Sequence, residues 1–425
     1  MLLTQKDEKP NIVTIAAYLA LAIPTFFYID GAIEAGGFGL MYHYLYGMGI
    51  CVLAFFVFLL RGASKSLISL IKWAIIFSLS YIVPTIYSTF LWCFNFSAKN
   101  YISKGLFYNV YMLIAIAVCV ATVYMFGEYA VPISITAMGI ANIMIIVPIA
   151  QSNPSEFVQE MITLIISFGN ETGSMMKSVE IHDLTFAFGL YLLYALVRRD
   201  CPCRWYVITV GLIFSLTGLK RIAFIGVGAG FFLVRFLQML PQRKSKNLSY
   251  LICGCIVAFS YVYIVAVHSG LFDLLEKIGI NTMGRNLIYQ QLNTLFEFSP
   301  FFLGNGIGFS AHAWDNMTGR NVIHDAFHNE YIRMYVEIGF WGYAAWWLLN
   351  IFTRLKYAYK WLGANGGLYL FSMIFFLYCT YSSDNTYYYY YTSMALFLPI
   401  MCAHRDDSKI YPFPKFILKF LGRGK

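Results

Sequence analysis

The run Phe327-His328-Asn329-Glu330-Tyr331-Ile332-Arg333 gathers an imidazole, a carboxamide, a carboxylate and a guanidinium at the head of an apolar stretch. An imidazole of ordinary pKa, roughly 6.5, takes a proton at neutral pH, so His328 can serve as general base toward a hydroxyl. Asn329 beside it can hold hydroxyls through its amide. Cations also stand at the starts of three helical stretches: Lys220 and Arg221, then Arg285, then Arg333. A helix N-terminus is the positive end of its dipole, and a cation there costs roughly 0.3–1 kcal/mol unless something offsets it. Exposed amides and guanidinium groups together suit phosphate oxygens. The chemistry indicated is activation of a hydroxyl beside a clamp for an anion, with a lipid-linked diphosphate as the fitting substrate.

Plainer roles stand beside these. Arg333 has Glu330 three residues before it and Glu337 four after, and can neutralise both along one helix. Lys220 and Arg221 can snorkel to lipid headgroups. Arg285 can pair with Glu276 or Glu297, and His328 can be a buried, hydrogen-bonded histidine. His324 and His328 have the i, i+4 spacing of metal ligands, with His312, Asp325 or Glu330 as a third. No HExxH pattern accompanies them, so neither a metal nor a cofactor is expected.

The elements that must position these groups follow from composition. The chain has 425 residues, 59% of them hydrophobic and 12% charged, with mean hydropathy +0.64. A soluble domain carries roughly 25% charged residues, so an all-α polytopic membrane protein is expected. Aromatics at 19% suit interfacial belts and a sugar-facing cavity. Apolar runs near the ~20 residues that cross a bilayer lie at about 11–30, 39–60, 73–92, 105–126, 129–150, 182–197, 205–219, 222–240, 248–268, 329–352, 367–382 and 386–403. That is about twelve spans, with both termini on one side.

With the N-terminus inside, 21 of the 30 lysines and arginines fall in inner segments and 9 in outer ones. The positive-inside rule then makes both termini cytoplasmic. The polar N-terminus shows no small-residue cleavage site after the first apolar run, which reads as an uncleaved span. Residues 1–425 are expected to form one integral membrane domain, with outer loops at 151–181 and 269–328. The first loop carries the weakly amphipathic "SEFVQEMITLIISF", suited to the interface. The second carries short helices in "LFDLLEKIG" and "GRNLIYQQLNTLFEF", then a break at Pro300 and three close glycines, and it bears the site residues. The nine cysteines form no disulfide framework, and Cys201-Pro202-Cys203 lacks the spacing of a redox or zinc pair. No basic block with interleaved aromatics supports nucleic-acid binding, so the net charge of +9 reads as cytoplasmic loop charge.

"HNEYIRMYVEIGFWGY" resembles the His-Asn-x-Tyr/Leu … Glu-x-Gly-x-x-Gly signature of bacterial O-antigen polymerases and O-antigen ligases, the Wzy and WaaL types. "GRNLIYQQLNTLFEFSPFFLGNGIG" is similar to that superfamily's preceding Gly-Arg, helix, Pro, Gly-x-Gly stretch. "LTGLKRIAFIGVGAGFF" is similar to its Ser/Thr-rich, Arg-containing helix start. The resemblance covers roughly Leu216 to Tyr343. It implies a metal-independent, inverting glycosyltransferase of the bacterial inner membrane, working on polyprenyl (undecaprenyl) diphosphate-linked oligosaccharide at the outer face. Carried over, His328 activates the acceptor hydroxyl, while Arg221 and Arg285 hold the diphosphate. Lys220, Asn329, Arg333, Glu330, His324, Arg320 and Tyr331 are assigned to substrate binding around them. Glu337, Gly339 and Gly342 match the end of the signature and read from their own chemistry as packing residues.

A repeat-unit polymerase is the expectation, with membrane lipids and a chain-length regulator protein as partners. A ligase that passes finished glycan to lipid A–core is the alternative. A lipid-linked sugar flippase is a third reading, against which stand the lack of repeated halves and of paired broken helices. "DNTYYYYYTS" (Asp384 to Ser393) belongs to no named motif and reads as an interfacial tyrosine belt or a glycan path.

Overall fold

The computed structural model describes residues 11–27, 39–61, 65–166, 182–218, 220–279, 289, 292–317 and 329–405. Among them the regular structure is helical, and no strand occurs. In chain order the helices are α1 (Ile12–Phe27), α2 (Gly39–Arg61), α3 (Lys65–Phe94), α4 (Ile102–Phe126), α5 (Ala130–Ser152), α6 (Pro154–Ile166), α7 (His182–Val197) and α8 (Arg204–Thr217). There follow α9 (Arg221–Gln238), α10 (Gln242–His268), α11 (Leu271–Lys277), α12 (Phe309–Met317), α13 (Glu330–Trp347), α14 (Arg354–Trp361), α15 (Gly363–Tyr381) and α16 (Tyr390–Arg405). Every apolar run marked for a span falls on a helix. Among the described residues, five helical segments are long and apolar enough to cross a bilayer: Leu67–Phe94, Ile102–Ser152, Arg221–Gln238, Gln242–His268 and Gly363–Tyr381. Shorter apolar helices accompany them. The chain is a helical, multi-pass membrane protein.

The second expected loop helix ends early. After Leu292 the chain turns at Asn293 and Thr294, and Leu295 to Phe298 are not helical. The Asn293 side chain donates to the His268 carbonyl at 3.2 Å, and Tyr335 donates to the Glu297 carbonyl at 3.2 Å. Tertiary hydrogen bonds thus outweigh a periodicity that favours helix. The short helix expected near Leu271 is present as α11.

The chain divides into two compact units. The first comprises residues 1–74, 114–231 and 390–412, and the second 75–113, 232–389 and 413–425. In the first, α7 packs against α8 and α16, and α1 against α2 and α5. Close approach depends on small residues, as is common between membrane helices. A Cβ on Gly211 of α8 would stand 3.1 Å from Leu192 Cβ and 3.2 Å from the Phe188 carbonyl of α7. The buried Asp183 carboxylate accepts from the Tyr391 and Thr392 amides at 3.0 and 2.8 Å, so α7 caps the start of α16. An anion at the positive end of a helix is favoured by the dipole and by the otherwise unpaired amides.

In the second unit α10 packs on α13 and α15, α14 on α15, and α12 on α13. The core is aromatic: Tyr331, Tyr335, Tyr343, Trp346, Trp347, Tyr378 and Tyr381 are all buried. Helix α13 passes at Leu348–Thr353 into a π-helical turn before α14.

Candidate active site

Helix α13 begins where the sequence places its polar cluster. Asn329 has extended backbone angles, and its Oδ1 accepts from the Ile332 amide at 3.1 Å, the N-cap geometry that this residue type favours. Its Nδ2 donates to the Tyr263 and Tyr289 hydroxyls at 2.9 and 3.1 Å, and its backbone amide donates to Asn385 Oδ1 at 3.1 Å. Both amide hydrogens are therefore engaged within the fold. Tyr331 is likewise buried and donates to the Tyr378 carbonyl at 2.8 Å.

Glu330, Arg333 and Glu337 follow at i, i+3 and i+7 on one face of α13, and all three are buried. The Arg333 guanidinium lies 3.9 Å from Glu330 and 3.8 Å from Glu337. It also sits over two aromatic faces, 4.6 Å from the Tyr388 ring centroid and 5.1 Å from that of Tyr108. The neutralising role open to Arg333 from its spacing is thus present in the structure. Two buried carboxylates share one buried guanidinium, an arrangement whose desolvation is large and must be matched by good partners.

Glu337 has such partners. Its Oε1 accepts from the Gly308 amide at 3.1 Å and from the Ser310 hydroxyl, which fastens the start of α12 to α13. The loop before α12 is shaped for this contact. Gly304, Gly306 and Gly308 have φ of +89°, +92° and +90°, a conformation that glycine adopts without steric penalty. Helix α13 itself breaks at Gly339 (φ 65°, ψ −173°). The break frees the Val336 and Glu337 carbonyls, which accept from the Asn305 and Gly306 amides at 3.1 and 2.7 Å. The Phe340 amide turns to the Phe302 carbonyl at 2.9 Å. Loop 302–308 therefore supplies the hydrogen bonds that the broken helical turn lacks, which is why Glu337-x-Gly339 and Gly304-x-Gly306 need each other. Tyr101 supports the same loop, donating to the Asn305 carbonyl at 2.9 Å. Burial, reinforced by the Glu337 carboxylate, pushes its phenol up to about 12.

Sequence reasoning misses a further group. Asp384-Asn385-Thr386-Tyr387-Tyr388 does not lie as a surface belt but folds against the start of α13. Asn385 holds the Asn329 amide, the Tyr387 amide donates to Glu330 Oε2 at 3.4 Å, and Tyr388 underlies Arg333. Asp384 is buried and accepts from the Tyr389 hydroxyl at 2.6 Å. The signal available is an Asp-Asn pair in front of a tyrosine run, which is polar chemistry in a place where a belt needs none.

Arg221 opens α9 in the first unit, with Lys220 before it, as the cation-at-helix-start reading requires. Gly218, the C-cap of α8, packs against Thr185 so closely that a Cβ there would overlap its side chain. Arg285, Arg320, His324 and His328 lie outside the described residues, as does Asp325. Of the sequence-derived site residues in the second unit, the structure joins Asn329, Glu330, Tyr331 and Arg333 in one buried network.

Residues 205–347 match a family model described as O-antigen ligase, Wzy_C. The match covers about a third of the chain and supports a likeness of this region to the O-antigen polymerase and ligase superfamily. The match runs from the second residue of α8 to the last of α13, and so takes in Arg221, the glycine loop and the Glu330–Glu337 row. No curated protein matches the chain.

Proposed function

We propose that the protein is a repeat-unit polymerase for O-antigen or capsular polysaccharide, an inverting glycosyltransferase at the outer face of the bacterial inner membrane. In this reading the chain crosses about twelve times with both ends in the cytoplasm. The 21-to-9 division of basic residues supports that orientation. The donor is a growing glycan on polyprenyl (undecaprenyl) diphosphate, and the acceptor is a fresh lipid-linked unit. The acceptor hydroxyl oxygen attacks the donor's anomeric carbon while the carbon–oxygen bond to diphosphate breaks. His328 takes the hydroxyl proton, and the diphosphate leaves on its carrier with the bonding electron pair. Arg221 and Arg285 hold the departing charge, and electrostatic stabilisation of this kind usually contributes more to catalysis than any other single effect. No metal is required by these roles. A chain-length regulator protein is the expected partner.

The observation that carries the reading is the family match over 205–347, which contains all three residues assigned to the chemistry. The test is Arg285→Ala in a strain carrying the polysaccharide locus. Long-chain polymer disappears on a lipopolysaccharide gel while the protein is still found in the membrane fraction; polymer of normal length refutes the assignment. The matched O-antigen ligase family favours a second reading, ligation of finished glycan to lipid A–core. Deleting the gene separates the two. Loss of a polymerase leaves core capped by single repeat units, and loss of a ligase leaves bare core.

A further inference from the structure

Four polar atoms around Arg333 are buried without a hydrogen-bond partner among the described residues: Glu330 Oε1, Arg333 Nη2, Glu337 Oε2 and the Tyr388 hydroxyl. All four side chains are more than nine-tenths buried. An unsatisfied buried polar group costs about 1–3 kcal/mol, and such groups are rare in native structures. What sets these four apart is that they lie on charged and phenolic groups gathered around one guanidinium. The groups converge: Arg333 stands between the two carboxylates and over the Tyr388 ring, and Glu337, Arg333 and Glu330 all act electrostatically on the Tyr388 phenol. The nitrogen–oxygen separations of 3.8 and 3.9 Å are too long for direct hydrogen bonds.

We infer that this cluster is a subsite for sugar hydroxyls. Its chemistry fits that ligand: two carboxylate oxygens accept, and guanidinium and phenol donate. Tyr108 is only half-buried, and its ring centroid lies 5.3 Å from that of Tyr388, so it forms the margin by which a sugar reaches the cluster. A phosphate is disfavoured there, since two carboxylates face one guanidinium. The assignment rests on the glycosyltransferase reading and adds to it the residues that hold a sugar unit of the glycan.

Tyr388→Phe tests it, because the change removes only a hydroxyl that has no partner among the described residues. The probe is the free repeat-unit oligosaccharide, released from its lipid by mild acid and added to the purified full-length protein. Wild type gains thermal stability with the oligosaccharide, while Tyr388→Phe and Glu330→Gln do not. Without sugar, Tyr388→Phe melts at or above the wild-type temperature. In transfer assays with the lipid-linked unit, its KM rises about tenfold, the loss of one hydrogen bond, with kcat largely kept. The assignment is overturned if wild type shows no stabilisation, if Tyr388→Phe keeps it, or if Tyr388→Phe alone lowers the melting temperature. Binding by wild type without any transfer leaves the subsite standing and removes the polymerase reading. Transfer by Tyr388→Phe at wild-type KM does the reverse.

Discussion

Gly339→Ala probes the joint on which the site is built. At φ 65° and ψ −173° the residue occupies a region that an L side chain rarely enters, and holding one there costs about 1–3 kcal/mol. Space is closed as well: a Cβ would overlap the Leu303 and Phe302 backbone. Loop 302–308 must then move, which endangers the Phe340–Phe302, Gly306–Glu337 and Asn305–Val336 hydrogen bonds, each worth about 1 kcal/mol net. With partial retention of those bonds, the expected loss is about 3–5 kcal/mol. Gly228→Ala in α9 is the matched control, since a Cβ there meets nothing within 4 Å. Replacing a glycine inside a helix gains up to about 1 kcal/mol. Thermal unfolding of the detergent-purified proteins, followed by tryptophan fluorescence, makes the comparison. Gly339→Ala should melt several degrees below wild type, and Gly228→Ala at or above it. If the two variants melt together, the glycine-loop account of α13 is refuted.

Three further outcomes follow from the same geometry. Arg333→Ala leaves Glu330 and Glu337 buried without their cation and should cost about 3–5 kcal/mol; the triple change Arg333→Met, Glu330→Gln and Glu337→Gln should recover most of that stability without recovering activity, as melting and transfer assays on the same preparations would reveal. Asn329→Ala removes an N-cap and two bonds to tyrosine hydroxyls, for a loss of about 2–3 kcal/mol. Asn329→Asp keeps the cap oxygen, so chemical denaturation should rank it between alanine and wild type. In the first unit, Asp183→Ala strips the cap from α16 and should cost about 2–3 kcal/mol, with Asp183→Asn costing less because one acceptor remains. A denaturation midpoint for Asp183→Ala equal to wild type would disprove that cap.

The apolar helices are legible in the sequence because a bilayer imposes a length and a hydropathy on any helix that crosses it, and among the described residues five helical segments meet both. The cap at Asn329 and the break near the three glycines are legible too, since both are local: a side chain reaching three residues along, and φ values open to glycine. The helix expected from Gly284 to Phe298 fails beyond Leu292 because its end is set by His268 and Tyr335, which lie far off in sequence. The Asp384–Tyr388 segment reads falsely as a belt for the same reason.

By itself the sequence determined a polytopic helical protein and the polar start of α13; these depend on transfer free energies and on spacings within one helix. Only the tertiary structure decided that Arg333 lies over Tyr108 and Tyr388, that Asn329 is committed to tyrosines, and that the Tyr387–Tyr388 turn closes over Glu330. The physical reason is that a buried polar group must find its partner wherever the fold supplies one. Such partners stand dozens to hundreds of residues away, beyond the reach of any local pattern.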